Sequence, residues 1–397
     1  MWIQDQLDEQ LLINEKTATK RLQFGTDNCI QMHIGKSSSD VMCKDCYVGN
    51  WKVDVITDPL TGSSSQSDSF TGNVKMKTKQ EQVYLGDLIS SDGTNTKNVQ
   101  QRRNKGVGVT NQIMQILEST YFGKFYFEVA TVLRESLFLS SLLLNSEAWV
   151  NYTEKDVRIL EQCDEILLGK ILDCEANTSN ALKYLELGIV PIRFEIMKRK
   201  LAFLQYILKQ EKSAMIFQVL KATHENSVKN DFVQTCMKYL KTLDISLNFE
   251  EIQKLSDRKF KMLLKEKLKV AAFKYLTKEQ SKQKKIMDIQ YNKLEIQEYL
   301  LCGDRDINIS RLIFKARGLT LDIKTQKKWR YSDRLCSGCQ LNDESGEEIL
   351  FCKSFGENIQ NISYSWFYRE SVGDQISVAK IMMKKLKARE KLREEIT

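Results

Sequence analysis

From Val99 to about residue 300 a single proline, Pro191, interrupts the chain, and apolar residues recur there at three- and four-residue spacing. Such a pattern buries one stripe of each segment only if the segments are helices, so this span must fold as packed amphipathic helices. Thr153-Glu154-Lys155-Asp156 has the form of an N-terminal helix cap, and Leu160, Cys163, Leu167 and Ile171 follow on one face. A second helix from about Asn180 should stop near Gly188, and Pro191 should open a third over Ile192–Lys209, with Ile196, Leu201, Leu204 and Leu208 as its stripe. Further helices are expected at 214–224, 231–242, 250–276 and 278–300. With 2 prolines and 18 glycines in 397 residues, a collagen-like, Pro-rich or turn-dense β chain is excluded.

The ends read differently. Leu22–Phe24, the alternating Ile30, Met32 and Ile34, and the run Val83–Ile89 look like short strands, and 61–71 is a Ser/Gly-rich loop. The expected fold class is therefore mainly α. A small partial α+β unit (1–98) precedes a helical region (99–330), a cysteine-bearing segment (331–370) and a basic helical tail (371–397). No run of about 18 uncharged apolar residues occurs and no secretory signal stands at Met1. A soluble, intracellular protein of nucleus or cytoplasm, without membrane partners, is expected.

The formal charge of +8 is unevenly placed. Residues 196–330 hold 30 Lys/Arg against 15 Asp/Glu, a local +15, which leaves about −7 for the rest. This asymmetry points to a polyanionic partner, nucleic acid before membrane, although a set of Lys-covered solvated helices would produce the same count.

Of the motifs with chemical content, the sharpest is Cys336-x2-Cys339-x7-Glu347-x4-Cys352. A two-residue gap lets two thiolates of one tight turn face a metal, and the later pair closes a tetrahedron, as in a zinc knuckle. Here Glu347 stands where a knuckle has histidine, and Glu348 would serve with a small shift of register. A looser set, Cys29, His33, Cys43 and Cys46, reads better as a strand histidine with buried thiols. Two histidines without Ser or Cys partners exclude an evident hydrolytic triad. Gly106-Val107-Gly108 lacks the third glycine of a dinucleotide site and the Lys of a phosphate loop. No adjacent Asp-Asp pair occurs for two-metal chemistry.

The strings KRLQFGTDNCIQMHIGK (Lys20–Lys36), YLGDLISSDG (Tyr84–Gly93), LLLNSEAWVNYTEKDVRILEQCDEILLGKIL (Leu142–Leu172) and YLELGIVPIRFEIMKRKLAFLQYIL (Tyr184–Leu208), with the Cys336–Cys352 knuckle, resemble non-LTR (LINE-type) retrotransposon reverse transcriptases. The resemblance covers the late palm, thumb and zinc-knuckle region, nearly the whole chain. It implies that Tyr84, Leu85 and Gly86 form a primer-grip-like turn, and that the basic helices, with Lys198, Arg199 and Lys200, hold a template–primer duplex. It implies further that Trp329 and Arg330 stack on and pair with RNA or DNA beside the knuckle residues Cys336, Cys339, Glu347 and Cys352, with zinc as the metal. The family's catalytic Asp residues have no counterpart here, and Asn28 stands where the palm motif has a Lys. A truncated reverse transcriptase without polymerase activity, retaining RNA and DNA binding, is the expectation. Magnesium would be needed only if a missing palm half completed an RNA-directed DNA polymerase, the first alternative. A helical scaffold for unknown protein partners is the second.

Overall fold

The computed structural model describes residues 30–31, 47–48, 74–75, 77–78, 81–84, 86–90, 94–149, 152–226, 231–301, 306–357, 362–369 and 371–396. The chain divides into two compact units, Met1–Thr94 and Asn95–Thr397.

In the first unit β1 (Ile30–Gln31) lies parallel to β4 (Lys77–Thr78), and β2 (Tyr47–Val48) antiparallel to β3 (Val74–Lys75). The strand-like run Val83–Ile89 lies in a hairpin of β5 (Glu81–Tyr84) and β6 (Asp87–Ser90), with Tyr84 opposite Asp87. Gly86 at φ +87° allows the turn, because a tight hairpin turn needs a positive φ that glycine adopts freely. The strand expected at Leu22–Phe24, the loop 61–71 and the set Cys29, His33, Cys43 and Cys46 lie outside the described residues.

The second unit begins with α1 (Thr96–Ser119), ahead of the expected boundary at Val99. Next, α2 (Tyr126–Leu133) passes through a π-helical turn at Arg134–Phe138 into α3 (Leu139–Leu142). The helix α4 (Glu154–Ile171) starts at a full capping box: Thr153 accepts from the Asp156 N–H and Asp156 accepts from that of Thr153. It packs on α1 where Gly106 leaves room; a Cβ there would stand 2.8 Å from Cys163 Sγ. Gly106 thus serves helix packing. Gly188, left-handed at φ +63°, ends α5 (Asn180–Leu187), and Pro191 is the N-cap of α6 (Ile192–Leu208).

Beyond α7 (Met215–Asn226) and α8 (Phe232–Thr242), the single helix expected at 250–276 is two, α9 (Phe249–Lys254) and α10 (Asp257–Ser281). Ser256 separates them because its hydroxyl caps the Lys259 N–H at the start of α10. No helix fills 278–300. After α10 the chain turns irregularly to α11 (Glu298–Leu301) and α12 (Ile307–Arg317), since buried side chains hold the turns. Gln280 donates to the Ile286 and Ile289 carbonyls, and Tyr291 and Tyr299 donate to Glu186 at 2.6 and 2.9 Å. After α13 (Gly346–Phe351), α14 (Val372–Ile396) packs on α12 and α13, so 99–330, 331–370 and 371–397 share one compact unit.

Among the described residues, ion pairs with both partners buried sit inside this unit, two of them between its helices and a third, described below, beside the cysteines. Arg134 grips Asp164 with two bonds of 2.7 and 2.6 Å, and Tyr184 donates to the same carboxylate. Arg317 donates to Glu186 at 2.8 Å; Glu186 is fully buried and Arg317 nearly so. No helix among the described residues is long and apolar enough to cross a membrane.

Buried ionisable groups set an alkaline response. Burial pushes the Lys200 ammonium down to about 8, and the thiols of Cys163 and Cys236 up to about 11 and about 12. Burial likewise raises Tyr184, Tyr291 and Tyr299 well above the usual phenol range. Folded Lys200 loses its proton before the unfolded chain does, so its contribution improves from pH 8 upward. The thiols and phenols ionise first in the unfolded chain, so their contribution is complete below about pH 8 and is lost as pH rises, that of the thiols before that of the phenols. The thermal midpoint is expected to fall above pH 10, and between pH 8 and 9 to fall more steeply in Lys200→Met than in the unaltered chain; the same pH dependence in both would contradict the burial of Lys200.

Candidate metal centre

The local fold between Arg334 and Glu344 is a tight double-back. Leu335 bridges Asp343, the Cys336 N–H donates to the Asn342 carbonyl at 2.7 Å, and the Glu344 N–H to that of Arg334 at 2.7 Å. Ser345 then caps α13, accepting from the Glu348 N–H, and Cys352 follows at its C-terminal end. This returns the third cysteine to the first two. The sulfurs of Cys336, Cys339 and Cys352 and a carboxylate oxygen of Glu348 all lie within 4.8 Å of one another, a Cys3Glu cluster that could hold a metal ion.

The fourth donor is Glu348, which replaces the expected Glu347. Successive residues of a helix point about 100° apart, so only one of the two can face the cysteines. Glu347 faces away and accepts from the Ser363 hydroxyl at 3.1 Å and the Tyr364 N–H at 3.0 Å. Glu348 accepts from the Cys339 thiol at 3.2 Å, and Asn342 Nδ2 donates to its other oxygen at 3.0 Å, which orients it.

Charge in the site suits a cation. Burial pushes the Cys336 thiol up to about 12, although the N–H groups of Gly338 and Cys339 point at its sulfur and favour the thiolate. A divalent ion held by Cys336, Cys339, Cys352 and Glu348 would favour the thiolates further and make such thiols ligands. Gly338 is required by packing, since a Cβ there would meet Ser354 Cβ at 2.7 Å and the Phe355 ring at 2.9 Å.

The tail helix is part of the site. Val378, Ala379 and Met382 are buried, and one and two turns on, Lys385 and Arg389 are also buried. Lys385 donates to the Cys352 and Gly356 carbonyls at 3.2 and 3.3 Å. Arg389 pairs with the fully buried Glu344, which also accepts from the Ser337 N–H and hydroxyl and the Lys324 N–H. Burial alone would raise the Glu344 carboxyl; the bonds from Arg389 and Ser337 outweigh it and hold it below the usual glutamate range. Sequence reading missed Glu344, Lys385 and Arg389. The signal for the two cations was positional: 378, 382, 385 and 389 continue one helical stripe.

The expected nucleic-acid contacts separate. Lys200 is 1% exposed, its ammonium donates to the Trp149 carbonyl and lies over the Tyr152 and Phe232 rings, so it cannot meet a phosphate. Arg199 donates to the Leu143 and Leu139 carbonyls at 2.8 and 3.1 Å and ties α6 to the end of α3. Lys198 alone is exposed, paired with Glu195 at 3.0 Å. The reading of 198–200 as a phosphate-binding triplet is thus corrected: the three share a sequence run, but successive helical positions aim them differently. Tyr84 belongs to β5 and Gly86 to the turn of the hairpin, while Leu85 lies outside the described residues.

Trp329 is 70% exposed, and Arg330 is exposed with an ion pair to Asp322 at 3.1 Å. Arg330 and Tyr331 line a cleft of about 470 Å³ together with Lys324, Ser337, Gln340, Arg393 and one acid, Glu394, so the knuckle turn forms one of its walls. The Tyr331 ring lies 4.5 Å from the Arg393 guanidinium, a cation–π contact. No family model matches the sequence, and no curated protein or solved structure is significantly similar to it.

Proposed function

We propose that this chain is a nucleic-acid-binding protein of the non-LTR reverse transcriptase kind, with zinc in the Cys336, Cys339, Glu348 and Cys352 cluster and no polymerase activity of its own. The observation that carries the reading is the cluster itself, three thiols and a carboxylate gathered by a tight turn and a short helix. Three thiolates suit zinc over magnesium or calcium, which prefer oxygen ligands. Four protein donors leave no open position, so zinc would organise the turn and would not catalyse. The residues beside it supply the contacts: an exposed indole at Trp329 for a base to stack on, and cations of the Arg330–Arg393 cleft for phosphates. The sequence given has no adjacent Asp pair to hold catalytic magnesium, which supports binding without polymerisation.

Binding of fluorescent RNA and DNA oligonucleotides to the full chain tests the reading. Trp329→Ala is expected to weaken binding to single strands about 5- to 150-fold, the worth of one stacked base. Unchanged affinity in that variant, or an extension product in a primer–template assay with magnesium, would contradict it. No binding by the unaltered chain would favour the protein scaffold.

A further inference from the structure

The helix α10 carries a second surface, away from the knuckle residues. Its buried stripe, Phe260, Leu264, Leu268, Ala272 and Leu276, steps by four residues, at most 2% exposed at each position. Four residues exceed one turn by about 40°, so the stripe winds slowly round the helix and the exposed face winds with it. That outer face is mainly cationic. Lys261, Lys265 and Lys269 form one row beside the buried stripe, Lys269 half-buried, and Arg258, Lys274 and Lys278 lie on the outermost row with Met262, Glu266 and Val270.

Among the described residues none of these six forms an ion pair within 4 Å, although Asp257 and Glu295 lie near enough to Lys261 and Lys269 to feel their charge. The nearby acids are engaged elsewhere: Asp257 with Lys209, Glu279 with Lys282, and Asp244 with Lys267. Glu266 is the one other acid on α10. A helix built only for solubility mixes signs and places Glu four residues before Lys; here Lys stands four residues before Lys, which is unfavourable until an anion covers it.

We propose that this face of α10 tracks the phosphate backbone of a nucleic acid without reading its bases. The inference rests on the nucleic-acid reading above and assigns it a surface. No aromatic side chain accompanies the six cations in the exposed rows, so contact there is electrostatic. An anionic membrane fits less well, because a membrane-surface helix presents an apolar face, whereas the apolar stripe of α10 is spent inside the unit and only Met262 and Val270 stand out. At 25 residues, α10 spans about 37 Å, the length of about eleven base pairs.

The test uses the full chain and a quadruple variant, Lys261→Gln, Lys265→Gln, Lys269→Gln and Lys274→Gln, against labelled 20-base-pair DNA and 20-nucleotide RNA between 50 and 200 mM salt. Each lost phosphate contact flattens the log–log slope by about 0.9 on duplex DNA. Loss of all four contacts therefore shrinks the salt response over that range by about 100-fold, and the matching Lys→Arg variant restores it. These side chains lie outside the core, so the thermal midpoint should not move. An unchanged slope in the Gln variant, with binding by the unaltered chain intact, overturns the α10 surface alone. Salt-independent binding or none by the unaltered chain overturns both readings. Tighter binding of the unaltered chain to phosphatidylserine vesicles than to DNA assigns the face to membranes and overturns the proposal.

Discussion

Arg317→Leu is expected to destabilise the helical unit by about 3–5 kcal/mol, the cost of leaving a buried charge without its partner. Glu186 is fully buried and gathers three donors, the Arg317 guanidinium and the hydroxyls of Tyr291 and Tyr299, while its own carbonyl accepts from Gln297. The same arginine donates to the Phe367 carbonyl at 3.0 Å, so its loss also orphans a carbonyl in the segment before α14. Removing both charges, as Glu186→Leu with Arg317→Leu, should recover much of the loss, because a buried pair is worth far less than the penalty of breaking it. Lys198→Ala, which removes an exposed pair, should cost under about 1 kcal/mol. Urea unfolding of the four proteins checks this; equal effects of Arg317→Leu and Lys198→Ala would refute the buried network.

Disrupting the Cys3Glu cluster should have the second large effect, and a local one. Structural zinc sites contribute on the order of 10 kcal/mol of apparent binding free energy, and that energy is folding energy for the segment they close. With Cys352→Ser, hydrogen-exchange protection should fall across Arg334–Phe355 and along Met382–Arg389. Those residues of α14 are held by Lys385 on the Cys352 carbonyl and by Arg389 on Glu344. Protection in α4, anchored by the pair of Arg134 and Asp164, and in α6, tied by Arg199 to the end of α3, should be unchanged. Loss of protection throughout the unit would show that the knuckle is no separable element.

Local signals were legible in the sequence because they act within one turn. Thr153 with Asp156, Gly188 and Pro191 each mark a helix end by a short-range cause, and the helices they bound form where expected. What failed depended on partners far along the chain. The stretch 278–300 reads as a helix by period, yet Glu186, more than a hundred residues earlier, takes the hydroxyls of Tyr291 and Tyr299 and bends it into turns. Lys200 lies four residues after Ile196, on its buried stripe, and charge alone misassigned it to the surface. The inward face of the basic tail was hidden because two of its inward residues, Lys385 and Arg389, are cations with acceptors 29 to 45 positions upstream. At the knuckle the cysteines were readable from spacing, whereas the choice of Glu348 over Glu347 needed the helical phase set by the Ser345 cap.

The most direct test of the account is the metal content of the full chain, purified under reducing conditions, measured by atomic emission beside the variants Glu347→Gln and Glu348→Gln. One zinc per chain is expected, retained in Glu347→Gln and bound at least about 10-fold more weakly in Glu348→Gln. A chain without zinc after exposure to it, or a Glu347→Gln variant that loses the metal while Glu348→Gln keeps it, would contradict the centre described here.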